Sequence, residues 1–263
     1  MPELITQCPA CARRVRPGTR FCPGCGHTLA LAPAAQGAAV TATAASAATG
    51  SRFAEHWAEI KFVGGMFGVL LATSFVYGLL ARGNDSPWPG VAAQAVDALV
   101  VLTALALRRR ELAFEFKLHP IGARAWAVLA AVAVVFLIAM TAYFTALERL
   151  GVPFASMTDF YVRAGWPLWA ILTLISVSPA VFEEIAFRGV IQSSLERVLN
   201  ARDAWLIQAA LFSVLHLTPL IFPSHFIMGL CFGYLRRRSR SLYPGMVLHA
   251  AWNALVVLTE MSK

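Results

Sequence analysis

Residues 167–188 read PLWAILTLISVSPAVFEEIAFR, an apolar run that ends on two adjacent acids, Glu183 and Glu184, with Arg188 four residues beyond the second. Elsewhere the chain mostly keeps charge out of such runs, so this stretch decides both the fold class and where to look for chemistry. A carboxylate at membrane depth costs about 2.5–3.5 kcal/mol on the lenient insertion scale, and is retained where it has a partner and a task. Adjacent acids suit proton exchange with water, the work of a general base. Ser178-Pro179 lies just before them and is compatible with a helix restarting there, because proline is tolerated at a helix start. On that helix Glu184 and Arg188 share a face at ion-pair spacing, while Glu183 points about 100° away, free to face a cavity. The plainer alternative is a solvated helix end carrying an ordinary surface ion pair.

Working outward, the 263 residues are 58% hydrophobic and only 14% charged, with a mean hydropathy of +0.64. Seven apolar segments follow one another at about 62–81, 91–107, 125–147, 167–182, 204–220, 221–235 and 243–258. Roughly 20 residues suffice to span the hydrocarbon core. The expectation is an all-α, polytopic transmembrane bundle of about seven to eight spans in an integral membrane protein. The formal net charge of +8 sits in clusters between these spans, where it reads as a topology signal, so no nucleic-acid partner is expected. Alternate loops hold Arg108, Arg109, Arg110, Lys117 and Arg124, then Arg188, Arg197 and Arg202, then Arg236, Arg237, Arg238 and Arg240. That asymmetry puts the N-terminus in the cytoplasm. With seven spans the C-terminus faces outward, and an eighth would reverse it. The Ala- and Arg-rich composition hints at a bacterial cytoplasmic membrane.

The first 29 residues are polar and contain four of the five cysteines, as Cys8-Pro-Ala-Cys11 and Cys22-Pro-Gly-Cys25. Two C-x-x-C knuckles suit a tetrahedral structural zinc. So short a segment has almost no core, and its folding must come from the metal. A redox pair lacks a thioredoxin-like context here, and disulfides would want an oxidising compartment. Residues 30–51, mostly Ala, Thr, Ser, Gly, Pro and Gln, read as a flexible linker, which leaves 52–263 as the transmembrane helical domain. The module is similar to short zinc ribbons at the N-termini of bacterial membrane and regulatory proteins. That likeness implies recruitment or sensing, with a cytosolic partner for the ribbon.

Two more motifs place polar groups inside apolar helices. Phe212-x-x-x-His216 puts an imidazole in the fifth segment, and His249-x-x-x-Asn253 puts a histidine and an amide on one face of the last. Each could instead be interhelical glue, worth roughly 0.6–2 kcal/mol. Gly229-Leu-Cys-Phe-Gly233 is a close-packing face, and His225 lies one turn before it.

Glu-Glu-x-x-x-Arg, Phe-x-x-x-His and His-x-x-x-Asn, in this order, resemble the CPBP family of intramembrane peptidases, the CAAX-protease and Abi type. Phe187-Arg188-Gly189 and the run from Gly229 to His249 strengthen the likeness, which covers about residues 165–258. The resemblance implies that Glu183 activates the attacking water together with His216. It further implies that His249 and Asn253 stabilise the oxyanion or complete a metal site, and that Glu184 and Arg188 orient and charge-balance the rest. It leaves a catalytic divalent metal, zinc first, as an option. The expected activity is an intramembrane metallo- or glutamate endopeptidase acting in the lipid bilayer on a membrane-associated protein or peptide, CAAX-like or lipidated. The competing reading is a non-catalytic membrane adaptor or a toxin-immunity protein, whose ribbon recruits a cytosolic partner.

Overall fold

The structure is a computed structural model that describes residues 7–13, 15, 22, 24, 25, 27, 29, 42–152 and 156–262, with backbone alone for 42–55. Among these residues the regular elements are all helical. The long ones are α1 (Ala42–Leu80), α2 (Trp88–Leu112) and α3 (Ala123–Arg149). A short α4 (Asp159–Arg163) follows, then α5 (Leu168–Val198), α6 (Ala201–Leu215), α7 (Phe222–Ser239) and α8 (Tyr243–Met261). Residues 30–41 of the expected linker lie outside the described residues. Residues 42–51 are already helix, as their alanines favour.

Four helices are long and apolar enough to cross a membrane: His56–Leu80 within α1, α2, α3 and α5. Their outer faces stay apolar, with Leu107 70% exposed on α2, Val135 65% on α3 and Trp169 72% on α5. In water such faces would be unfavourable; in a bilayer they meet hydrocarbon. The protein is therefore an integral membrane protein. α6, α7 and α8 are shorter and carry the polar groups of the site among their apolar residues.

The acid pair is deeper in its helix than the charge pattern suggests. The segment expected to end at 182 continues as α5 to Val198, so the acids lie mid-helix. The charge does not stop the helix because it is paired internally. The α-helical run resumes at Ser178 with Pro179 in its first turn, without a break in the helical backbone. Wide π-helical turns at Thr173–Val177 and Glu184–Ile191 flank it, and the first relieves the register that proline's missing N–H would break.

α5 and α6 are antiparallel across a tight turn capped by Asn200, whose side chain accepts from the backbone N–H groups of Arg202 and Asp203 at 3.0 and 2.9 Å. Glu183 lies fifteen residues before the end of α5, and His216 fifteen residues after the start of α6. At about 1.5 Å per residue the two are level.

α6 and α7 cross closely at the small-residue face. A Cβ at Gly229 would sit 2.6 Å from Ala209 Cα, and one at Gly233 would sit 2.7 Å from the Trp205 ring. Gln208 donates to Gly229 O at 2.8 Å and Trp205 Nε1 to Leu230 O at 2.9 Å, bonds that need this approach. Gly229→Ala is accordingly expected to cost about 1–3 kcal/mol through overpacking. Reversible unfolding in mixed micelles would measure it, and an unchanged midpoint would contradict the crossing.

The basic ends of the helices gather on one side. Glu59 of α1 accepts from Arg108 of α2 at 2.8 Å and from Arg197 of α5 at 2.7 Å, and Arg197 also meets Glu111 at 2.9 Å.

Candidate functional site

The site is built from α5, α6, α7 and α8 around the ring of Phe212. That ring lies 5.2 Å from Phe187, 5.1 Å from His216, and 6.0 Å from both His225 and His249, centroid to centroid. Three imidazoles from three helices thus converge on one aromatic hub.

Arg188 and Glu184 form a fully buried ion pair at 2.9 Å. The guanidinium lies 4.3 Å above Phe212 and 5.2 Å from Phe232, an aromatic lining that stabilises a desolvated cation. Its three nitrogens nevertheless have no hydrogen-bond partner, so the ion pair is close but poorly aligned. Glu184 also accepts from His249 Nδ1 at 3.2 Å. Its other oxygen fits only because residue 245 is glycine: a Cβ there would lie 2.7 Å from Glu184 Oε2. Gly245→Ala should displace the carboxylate, cost about 1–3 kcal/mol and loosen His249. A melting temperature and hydrolytic rate both equal to wild type would argue against this.

Glu183 differs from its neighbour. Its side chain is 26% exposed, and Oε2, which has no hydrogen bond, lies 3.8 Å from His249 Nε2. The same histidine therefore faces both acids, one through each ring nitrogen. Glu183 and His216 make no hydrogen bond or ion pair with each other. His216 Nδ1 is 2.9 Å from Phe212 O, and His225 Nδ1 is 3.0 Å from Ile221 O. Since a carbonyl only accepts, Nδ1 carries the hydrogen in each and Nε2 presents a lone pair. The His216 and His225 rings lie 3.9 Å apart. Asn253 follows His249 by one turn on α8 and is half-buried.

Sequence reasoning gives His225 only a second place, as a residue that could reach the same cavity, and leaves two others out. The His225 ring lies tilted against that of His216, a contact visible only once α6 and α7 pack. Asp97 of α2, a helix that packs against α5, has a buried oxygen without a hydrogen bond. Its signal was present, an acid within an apolar span. Gly245 had none, because nothing local marks which glycine makes room for a carboxylate.

Residues 164–255 match the Rce1-like family model. That family is described as type II CAAX prenyl endopeptidase Rce1-like, and the matched stretch runs from just before α5 into α8, leaving the cysteine module outside it. No curated protein and no solved structure matches the chain. The resemblance drawn from the three polar motifs and the family match fall on the same region. The Rce1-like region contains every member of the cluster around Phe212.

At the N-terminus the Sγ atoms of Cys8, Cys11, Cys22 and Cys25 all lie within 4.8 Å of one another. The Cys8–Cys25 and Cys11–Cys22 separations are 3.7 and 3.5 Å. A tetrahedron with metal–sulfur bonds of 2.3 Å has edges of about 3.8 Å, so the set suits a metal such as zinc. The knuckles are shaped by Ala12 N–H donating to Cys8 O at 2.8 Å, with Ala12 at φ 56°, and by Gly24 N–H pointing at Cys22 Sγ at 3.4 Å. Burial acts to raise Cys8, but hydrogen bonds from the backbone at Ala10 and Cys11 and from the thiols of Cys22 and Cys25 bring it down to about 7. Burial pushes Cys22 and Cys25 up. Holding all four as thiolates therefore calls for a cation.

The intramembrane groups do not form a comparable set. The Nε2 atoms of His216 and His225 are of the right tautomer for ligation. Yet among the described residues the group of metal-ligating side chains gathered closely enough to hold an ion is the four cysteines, not these acids and histidines. The arrangement does not fit a ready-made catalytic metal centre.

Proposed function

We propose that the chain is an intramembrane endopeptidase of the CAAX type, hydrolysing a peptide bond of a membrane-associated protein or peptide with a water activated by Glu183. The observation that carries this reading is the buried Glu183–Glu184–Arg188–His249 cluster at mid-helix depth inside the Rce1-like region. An adaptor has no need of it.

Each group has work that follows from its surroundings. Glu183 is the less enclosed of the two acids and its Oε2 is free of hydrogen bonds, so it is the base that takes the proton from water. Glu184, held by Arg188, accepts the Nδ1 hydrogen of His249 and so turns Nε2 toward Glu183 Oε2 at 3.8 Å, where one attacking water would lie alongside both. The two acids and Arg188 sum to one negative charge. A proton arriving from water therefore neutralises the cluster, and it can then pass to the departing amine. His216, braced by His225 and the Phe212 carbonyl, offers a second acceptor beside the acyl carbon. Asn253 is the neutral N–H donor of the set and would bind the oxyanion, since the imidazole Nε2 atoms carry no hydrogen. No step here passes through a metal.

In this reading the four cysteines hold a structural zinc, and the basic end of the bundle with its ribbon faces the cytoplasm, in keeping with the arginine-rich loops. Lipidated C-terminal peptides of the kind named by the family description are the first substrates to test. The protein reconstituted in liposomes with such peptides should create new termini by mass spectrometry. Intact peptides after prolonged incubation with zinc-replete protein would refute the reading.

A further inference from the structure

The ribbon is not held at the end of a free tether. Arg13, two residues after Cys11, donates to Glu115 Oε1 at 2.8 Å, and both side chains are buried, 10% and 5% exposed. Glu115, just beyond α2, also accepts from Arg236 of α7 at 2.9 Å, and Arg236 reaches Glu196 of α5 at 2.9 Å. Among the described residues two acids and two arginines thus share one buried network, in which Arg13 balances part of the acidic charge. Removing one partner from such a network leaves an uncompensated buried charge.

Two further contacts fasten the same seam. Arg240, which ends α7 in the left-handed conformation at φ 58°, donates to Cys11 O at 2.7 Å. Leu242, which leads into α8, donates its N–H to Glu115 O at 3.0 Å. Arg13 is in turn positioned by the first knuckle, where Cys8 N–H donates to Arg13 O at 2.7 Å, and its stem packs on Gly24 of the second knuckle. A Cβ at Gly24 would lie 2.6 Å from Arg13 Cδ. Among the described residues the knuckles bury Val15 and Leu29 beside their cysteines, too small a core to hold this shape without a metal.

We infer that the docking partner of the ribbon is the chain's own helical bundle, and that metal binding by the four cysteines is linked through Arg13 and Glu115 to the packing of α5, α7 and α8. Linkage is reciprocal: if zinc tightens the seam, an intact seam must tighten zinc by the same factor. This rests on the contacts alone and does not require that the protein be a peptidase.

The test uses the full chain in nanodiscs loaded with one zinc per molecule. Stripping the zinc with a chelator should speed amide exchange at least tenfold in peptides covering 111–118, 193–198 and 236–243. Glu115→Gln touches no cysteine, yet it should weaken zinc about tenfold in competition with a chromophoric chelator, within the usual range of such couplings. Arg13→Met should do the same, with Arg13→Lys recovering part of the affinity. Unchanged exchange after stripping, wild-type zinc affinity in Glu115→Gln, or no zinc bound at all would each overturn the inference. The first two would leave the ribbon an independent module, free to recruit another protein.

Discussion

Glu183→Gln is expected to lower hydrolysis by about 10²–10⁴-fold, the scale of a lost general base, while the protein keeps its fold. The asymmetry between the two acids makes this a sharp result. Glu183 Oε2 has no hydrogen bond to lose, and its side chain is the more exposed of the pair. The amide matches its shape but cannot accept the proton of the attacking water. Glu184→Gln should behave differently, because that carboxylate balances a guanidinium with no exposure at all. Its loss should first appear as a lower unfolding midpoint and a poorer yield. Terminus mapping beside a melt in the same detergent separates the two outcomes. If Glu183→Gln and Glu183→Ala both retain full cleavage, the water-activating role belongs elsewhere. If a cellular phenotype survives both while no cleavage occurs in any variant, the adaptor reading gains.

Much of this could be read from the residue string, and the part that could not has a physical reason. Charge inside an apolar run is costly enough that it marks a site by itself, so Glu183, Glu184, Arg188, His216 and His249 were all visible. The depth of the acids was not. A hydropathy pattern stops a span at its first charges, whereas here internal pairing and two wide helical turns let α5 run to Val198. The family resemblance pairs Glu183 with His216, and the structure adds an approach of Glu183 to His249 at 3.8 Å. Which imidazole meets which acid depends on helix rotation, and that is set by packing such as Gly229 on Ala209 and Gly245 on Glu184. The four cysteines announced their ribbon through spacing. Arg13 announced nothing, because a single arginine in a polar segment looks solvated until Glu115 is found opposite it.

Arg188→Met should be the most damaging single change to stability, by about 3–5 kcal/mol, the scale found when one partner of a buried ion pair is removed. The guanidinium neutralises the acid pair, and its removal leaves Glu184 buried beside Glu183 with only His249 for company. Methionine fills most of the volume between Phe187, Phe212 and Phe232, so the cost is one of charge more than of packing. The test of that claim is Glu184→Gln combined with Arg188→Met. Removing both charges should recover a large part of the loss, with a coupling energy of about 1–3 kcal/mol in the double-mutant cycle. Activity need not return with stability, because His249 would lose the carboxylate that accepts its Nδ1 hydrogen. Additive losses in the cycle would mean that Arg188 acts through packing on its aromatic neighbours, and the charge-balance account of the cluster would have to be given up.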